Sequence, residues 1–465
     1  MCYRGTTARL LTVRRSTALS PVDGRRAPGN RRPPQNSCWT STASSKQGDE
    51  PAATSGASTI HPRSPTHRIV RQSTLRTDQR HTDGAPVSEV YIAGVGMTPF
   101  GRHPNTTSIE LGARAVIEAL QDSGIDPRRV EAAYCGSVYE GISIGQRVLA
   151  QVGMTGLPVT NVENACSSGA VALREASLAV RAGEHDVVLA LGVEHLTSKF
   201  AGAITPDETD LETVNGLTMS GIYAMRSQRY MHDYGVDHAQ VALVSVKNKQ
   251  HAANNSLAHF RKLVTVEQVL SSRPIADPLT LLECSPATDG AAAVLVVSAR
   301  VAAQFRDRCV TLAASTLRSG ELETPDSQMS FETLTQLTAA QAYERAGVGP
   351  EDVSLAEVHD CFSIAEVLRV EGAGLFPRGE YLHAVAAGEA TIGGRLPINP
   401  SGGLLGKGHP LGATGIAQVV ELVRQLRGEA GDRQVDGARV GLAHCRGGKT
   451  VGIDAAACTV QILVK

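Results

Sequence analysis

One short turn occurs twice in this chain, and that repetition constrains its fold more than any other feature. Ser123-Gly124-Ile125-Asp126-Pro127-Arg128-Arg129-Val130 is echoed by Ala346-Gly347-Val348-Gly349-Pro350-Glu351-Asp352-Val353. In both copies a helical period ends at a glycine, a proline-started turn follows, and a short apolar run comes next. Ahead of the first copy, Ile109, Ala113, Val116 and Leu120 recur at helical spacing, so Gly124 falls where a left-handed C-terminal cap belongs. Residues 90–96, apolar and closed by glycines, read as a buried strand before that helix. Farther on, each copy leads to a long apolar helix and then an apolar strand, at 186–193 and at 438–443. Matched element order implies an internally duplicated α/β fold.

A chain of 465 residues is long enough for such a two-part core. The first half spans 87–300 and closes on a strand at 291–298, and the second spans 301–465. Between strand signals, residues 199–288 are more polar and mostly helical, notably at 223–234 and 239–253, and read as an inserted lid. Residues 1–86 differ from the rest. Up to Lys46 they hold many arginines and a single acidic residue, Asp23. Such a segment buries too little apolar surface to offset its ordering entropy, so it reads as a disordered head. Arg- and Ser-rich, acid-poor composition also fits a mitochondrial transit peptide, and an anion-binding tail is a third reading. The expected compartment is the cytoplasm, or the mitochondrion if the head is a transit peptide.

With 45 basic and 46 acidic residues, no global field favours nucleic acid or an anionic membrane. The longest uncharged apolar run, 291–299, is far short of the ~20 residues a spanning helix needs. The nine cysteines include no Cys-x-x-Cys pair, so neither a structural zinc site nor a disulfide framework is expected.

The chemistry gathers in separate segments. Asn161-Val162-Glu163-Asn164-Ala165-Cys166-Ser167-Ser168-Gly169 leads into an apolar helix. A cysteine at a helix mouth meets the positive end of the dipole, which favours its thiolate. A packed core cysteine is the alternative. Glu357-Val358-His359-Asp360-Cys361-Phe362-Ser363 follows the second-half strand, at the strand end where open α/β folds carry chemistry. A His-Asp pair capping the next helix is the competing reading there. In the run from Asn399 to Gly415, His409 stands between Gly408 and Pro410. The run departs from a P-loop at Ser401 and Gly408, and its glycines are expected to let backbone approach a ligand. Finally, Leu442-Ala443-His444-Cys445-Arg446-Gly447-Gly448 runs from a strand into glycines able to offer N–H groups to an oxyanion. A cysteine, two histidines and a glycine-rich loop suit carbon–carbon chemistry on a thioester.

These segments, in this order, resemble those of the thiolase superfamily over nearly all of 87–465. His359-Asp360-Cys361-Phe362 resembles the sterol-carrier-protein-type and lipid-transfer-type thiolases and the related acetyl-CoA acetyltransferases. The resemblance implies the thiolase fold: two βαβαβαββ halves in five α-β-α-β-α layers, with an inserted lid. It implies an acyltransferase that cleaves 3-ketoacyl-CoA with CoA, or condenses two acyl-CoAs. Cys166 would be the acylated nucleophile and His409 its base. His359 and His409 would point N–H donors at the enolate, with Cys361 shuttling the α-carbon proton. The N–H groups of Cys166 and Gly447 would form a second oxyanion hole. Cys445 fills the position that carries the shuttle in ordinary thiolases, so two candidates exist, and Cys361 is preferred. Coenzyme A enters as substrate, and neither a cofactor nor a metal is expected. A homodimer or homotetramer is implied, as is a small zinc-ribbon and OB-fold partner of the kind some relatives have. A lipid side-chain aldolase or a non-catalytic lipid-binding member of the same fold is the alternative.

Overall fold

The computed structural model describes residues 89–465, apart from 201, 203, 205–208, 306–307, 322–328 and 451. The arginine-rich head at 1–86 lies outside the described residues. Those described belong to one compact unit, Thr82–Lys465.

The first half runs β1 (Val90–Met97), α1 (Ser108–Ser123), β2 (Ala132–Gly136), α2 (Ile144–Gln151), β3 (Val159–Val162), α3 (Ser168–Arg181) and β4 (Val187–His195). A helical excursion follows, with α4 (Leu211–Val214), α5 (Met219–Tyr234), α6 (His238–Ala253) and α7 (Val266–Leu270), then a small hairpin of β5 (Pro274–Ala276) and β6 (Leu279–Thr280). The chain returns through β7 (Asp289–Ser298) and the one-turn α8 (Ala299–Ala302). The second half runs β8 (Val310–Arg318), α9 (Thr333–Ala346), β9 (Leu355–Glu357), α10 (Ser363–Gly372), α11 (Tyr381–Ala386), α12 (Gly403–Lys407), α13 (Leu411–Arg427), β10 (Val440–Gly447) and β11 (Ala457–Val464).

The repeated turn has one geometry in both places. Gly124 and Gly347 cap α1 and α9 in the left-handed conformation, at φ 69° and 67°. A single 3-10 turn follows each, at Pro127–Arg129 and Pro350–Asp352, and delivers the chain to β2 and β9. A side chain at either glycine would be strained, because L-residues rarely adopt this backbone.

Strand order shows the same duplication. The nine-stranded sheet reads β3-β2-β4-β7-β1-β8-β11-β10-β9. Outward from the centre, β1-β7-β4-β2 mirrors β8-β11-β10-β9. The counterpart of β3 is a single parallel bridge between Ile398 and Ala356. The two halves meet edge to edge through Tyr91–Thr311 and Ile92–Val310.

Three core clusters account for the layers. In β4, Val188 and Ala190 face α3 and α13, whereas Leu189 and Leu191 face α1 and α2 on the opposite side. This is the two-residue alternation of a strand buried on both faces. The third cluster packs Leu442, Val460 and Ile462 against Ile364 and Leu368 of α10 and Tyr230 of α5. Helices α3 and α13 therefore form a shared central layer, and their N-termini end up side by side. Among the described residues no helix is long and apolar enough to cross a membrane.

Candidate active site

Cys166 sits between β3 and α3, and the backbone bends sharply to present it. Ala165 holds φ 48°, a strained value for a residue with a side chain. The Ser168 hydroxyl braces the bend, donating to the Ala165 carbonyl at 2.6 Å and accepting from the Asn164 N–H at 2.9 Å.

His409 arrives at the mouth of α13 because α13 and α3 pack at backbone contact. A Cβ on Gly169 would lie 2.3 Å from the Gly412 carbonyl oxygen, and one on Gly415 would lie 2.6 Å from the Ala170 Cβ. Gly402 and Gly406 pack on Ala252 of α6, Gly403 on Asp360, and Gly408 on Thr288. This corrects the expectation for the run 399–415. Its glycines let protein approach protein, which is what brings the cysteine and histidine loops together. Glu194 fastens the arrangement, accepting from the N–H groups of Gly412, Val138 and Tyr139 at 3.0, 3.0 and 2.8 Å. Burial pushes this carboxyl up to about 7, against the pull of those donors.

His359 follows β9, and its neighbour Asp360 does not pair with it. The Asp360 carboxylate accepts from the N–H groups of Leu404 and Leu405 at 2.6 and 3.2 Å, and from Asn248 at 2.7 Å. The reading of a His-Asp pair capping the next helix does not hold: Asp360 is apart from His359 and caps α12, far along the chain, tying the His359 loop to the His409 loop. Asn399 makes a second tie, accepting from the Val358 N–H at 2.8 Å.

As a result, a sulfur of Cys166 and ring nitrogens of His359 and His409 all lie within 4.8 Å of one another. The two rings meet edge to face, with centroids 5.0 Å apart. These three, with Cys361, line one cleft of about 710 Å³ including its open mouth. The excursion between β4 and β7 supplies another wall through Ile204, Met219, Ile222 and Tyr223. Its return segment runs beside the site, where Ser285 N–H donates to the Cys361 carbonyl at 2.9 Å. Cys445 and Gly447 do not reach the cleft wall. Cys445 is fully buried behind the rings, 3.3 Å from His359 Nδ1 and 3.2 Å from the Cys166 carbonyl oxygen.

Protonation follows from these contacts. Thr414 donates its one hydroxyl proton to the Pro410 carbonyl at 2.9 Å and therefore accepts from His409 Nδ1 at 2.7 Å. That leaves His409 Nε2 as a free base. Burial pushes this imidazole down to about 3, so it is neutral at physiological pH. His359 is likewise driven well below its ordinary value, by burial first and then by His409 and nearby arginines.

The thiol of Cys166 departs from expectation. Burial raises it well above the ordinary value, and the neighbouring sulfurs of Cys361 and Cys445 add to this. N–H groups of Gly448 and of Cys166 itself oppose the rise. A helix terminus is worth ~0.3–1 kcal/mol, up to ~2, whereas taking a charge out of water costs several. Burial wins. The resting pair is a neutral thiol beside a neutral imidazole. Gly448 is one of the two glycines from which N–H donors were expected, whereas Thr414 escaped the sequence reading, since nothing in its run marks that hydroxyl as the partner of His409.

Two family models now meet this geometry: the thiolase N-terminal domain matches residues 90–300, and the thiolase C-terminal domain-like model matches residues 323–458. The chain belongs to the thiolase family, a family of acyltransferases. The benzoylsuccinyl-CoA thiolase subunit BbsB of Thauera aromatica is 43% identical over 366 residues, covering 77% of this thiolase and 95% of that protein. An acetyl-CoA acetyltransferase of Methanothermobacter thermautotrophicus is 42% identical over 369 residues, with 77% and 96% coverage. Among solved structures, the Ltp2–ChsH2(DUF35) aldolase superposes with a TM-score of 0.72 at 26% identity, covering 82% of this thiolase and 98% of that chain.

Of the site residues expected from sequence, the fold brings Cys166, His359, Cys361 and His409 to one cleft. Cys445 lies one layer behind them. The three clustered atoms of Cys166, His359 and His409 are also close enough to share one metal ion. Thiolate and imidazole are zinc-type ligands, but a metal there would occupy the sulfur and the base at once.

Proposed function

We propose that this thiolase transfers acyl groups between acyl-CoA thioesters through an acyl-Cys166 intermediate, cleaving 3-ketoacyl-CoA with CoA or running in reverse. The observation that carries the reading is the approach of Cys166, His359 and His409 to within 4.8 Å in a cleft that Cys361 also lines. In cleavage, His409 Nε2 takes the thiol proton and the sulfur attacks the 3-keto carbon. The bond between C2 and C3 breaks, and its electron pair passes to C2 and the thioester oxygen as an enolate. N–H donors of His359 and of the newly protonated His409 hold that oxygen. Cys361 delivers a proton to C2, and the shorter acyl-CoA leaves. The thiol of free CoA then attacks the acyl carbon, expels the Cys166 sulfur and returns the protons.

Cys361 is the proposed shuttle because it lines the cleft whereas Cys445 lies behind His359. The N–H of Cys166 and the Gly447–Gly448 turn make up the second oxyanion site. The aldolase alternative is disfavoured by a nucleophilic sulfur beside a free imidazole nitrogen. A homodimer or homotetramer is the proposed assembly. A small zinc-ribbon and OB-fold partner is proposed because the similar Ltp2–ChsH2(DUF35) aldolase joins two proteins.

The test is direct. Purified protein is given acetoacetyl-CoA and CoA, loss of the ketothioester is followed, and intact-mass spectrometry looks for an acyl group on Cys166. The wild type turns over and carries the adduct, and Cys166→Ala does neither. Absence of both from the wild type defeats the proposal.

A further inference from the structure

Beside the cleft lies a buried ionic cluster that the acyl-transfer chemistry leaves unused. Glu332, fully buried at the start of α9, faces three arginines that are themselves 1–4% exposed: Arg226, Arg369 and Arg446. All three address the same oxygen, Oε1. Arg446 is closest, Arg226 lies at 3.1 Å, and Arg369 stands off at 3.8 Å. The other oxygen accepts from the Thr335 hydroxyl at 2.8 Å. Burial alone would raise this carboxyl, but the guanidinium groups hold it far below its ordinary range. It is an anion. Arg446 has a second partner, Asp454, at 2.6 Å.

Three cations thus face two carboxylates, and Arg369 has the loosest ion pair of the three, its guanidinium lying over the Tyr223 ring at 5.1 Å to the centroid. Its Nε and Nη1, both buried, have no hydrogen-bond partner among the described residues, and neither has Nε of Arg446 or of Arg226; of these three arginines, Arg369 is the one with two unmet nitrogens. Its remaining nitrogen, Nη2, bonds the Tyr223 hydroxyl. Donors left unmet at this depth disfavour filling the adjoining space with an apolar group. Arg369 and Arg446 both line the cleft that holds Cys166, Cys361 and His359. Most of the remaining wall is apolar, formed by Ile204, Met219, Ile222 and Phe362. Lys449 lines the cleft too, but its ammonium is already paired with Asp210 and Glu212, which leaves the arginines as the cations able to meet a chain with an anionic end.

Resting on the acyl-transfer reading, we propose that this enzyme acts on acyl-CoA thioesters whose acyl portion carries a second carboxylate, bound by Arg369 with Arg446. A carboxylate matches the fork of a guanidinium, completes the donors that Arg369 leaves open, and brings the cluster to charge balance. An uncharged alkyl chain in the same position would leave those donors buried and unmet. Selectivity by unpaired buried polar groups of this kind reaches ~10⁴-fold in favourable sites.

The experiment compares a 3-ketoacyl-CoA that ends in a carboxylate with one of equal length that ends in methyl. Wild type is expected to favour the carboxylate substrate in kcat/KM by at least about tenfold, and Arg369→Gln to shift that ratio at least about tenfold toward the methyl substrate. Arg369 also touches Tyr223, which bonds Cys361, so a purely chemical role would lower both substrates together and leave the ratio fixed. A fixed ratio, or a wild type that prefers the methyl substrate, overturns the proposal. Calorimetry on Cys166→Ala with glutaryl-CoA and pentanoyl-CoA reads recognition without turnover. If neither ketothioester reacts and no Cys166 adduct forms, the acyl-transfer reading fails. Tighter binding of glutaryl-CoA would still support the anion site, and equal binding would sink it.

Discussion

The sulfur of Cys445 lies 3.3 Å from Nδ1 of His359, on the side of the ring away from the cleft that Cys361 lines. Its one proton has two acceptors in reach, that nitrogen and the Cys166 carbonyl oxygen at 3.2 Å. When the proton goes to Nδ1, the ring carries its own on Nε2, the form that can donate to an enolate. In the proposed mechanism Cys445 is accordingly a positioning residue, and Cys361 the one placed to meet substrate. Cys361→Ala is expected to lower kcat by ~10²–10⁴-fold. Cys445→Ala should cost only ~10-fold, with Cys445→Ser recovering most of that loss. Steady-state kinetics decides this, and equal losses at the two positions would defeat the assignment.

Thr414 sets which nitrogen of His409 is the base. Thr414→Val keeps the shape but removes the acceptor for Nδ1–H, so the ring is free to adopt the other tautomer. A loss of ~10–100-fold in the rate of Cys166 acylation is expected, the usual range for removing an orienting partner. Rapid-quench mass spectrometry of the adduct measures it, and Thr414→Ser should restore it.

Stability should fall on the acid side of neutrality. Burial holds His251, His409 and His444 down to about 3, whereas unfolded histidine titrates near ~6.5. Above that unfolded value both states are neutral and these residues contribute no pH dependence. As pH falls below it, only the unfolded chain binds protons, so folding weakens by up to about 1.4 kcal/mol per residue per pH unit until about 3. Glu194, raised to about 7, works the other way between there and its ordinary value, as does the raised Asp360, but the histidines outnumber them. The thermal midpoint is expected to drop steadily from pH 6.5 toward 4 (~), with a shallower slope in His444→Asn. A flat profile would contradict the burial assigned here.

Zinc should inhibit. Zn–S and Zn–N bonds of ~2.3 and ~2.0 Å fit donor atoms that already lie within 4.8 Å of one another. Binding would expel the Cys166 proton and occupy the His409 base, so inhibition should strengthen as pH rises. Micromolar zinc is expected to suppress turnover, with EDTA restoring it and Cys166→Ala binding zinc less tightly by calorimetry.

Local signals made the framework legible. A left-handed glycine cap with a proline turn behind it depends on a few adjacent residues, so Gly124 and Gly347 marked the duplicated halves without reference to the rest of the chain. The Cys166, His359 and His409 segments were recognisable for a related reason, since each carries its chemistry in a handful of contiguous residues. What the sequence did not disclose is set by groups distant along the chain. Burial among the packed halves determines that Cys166 rests as a thiol, overriding the helix terminus its neighbours advertise. Packing of α3 on α13 gives the glycines their purpose. Depth in the fold separates Cys361 from Cys445, two candidates between which the sequence resemblance gave only a preference for Cys361. Arg226, Arg369 and Arg446 meet Glu332 from remote parts of the chain, and no local pattern encodes where four such side chains converge. Electrostatic energy depends on three-dimensional distance and on exclusion of water, and both exist only once the chain has folded.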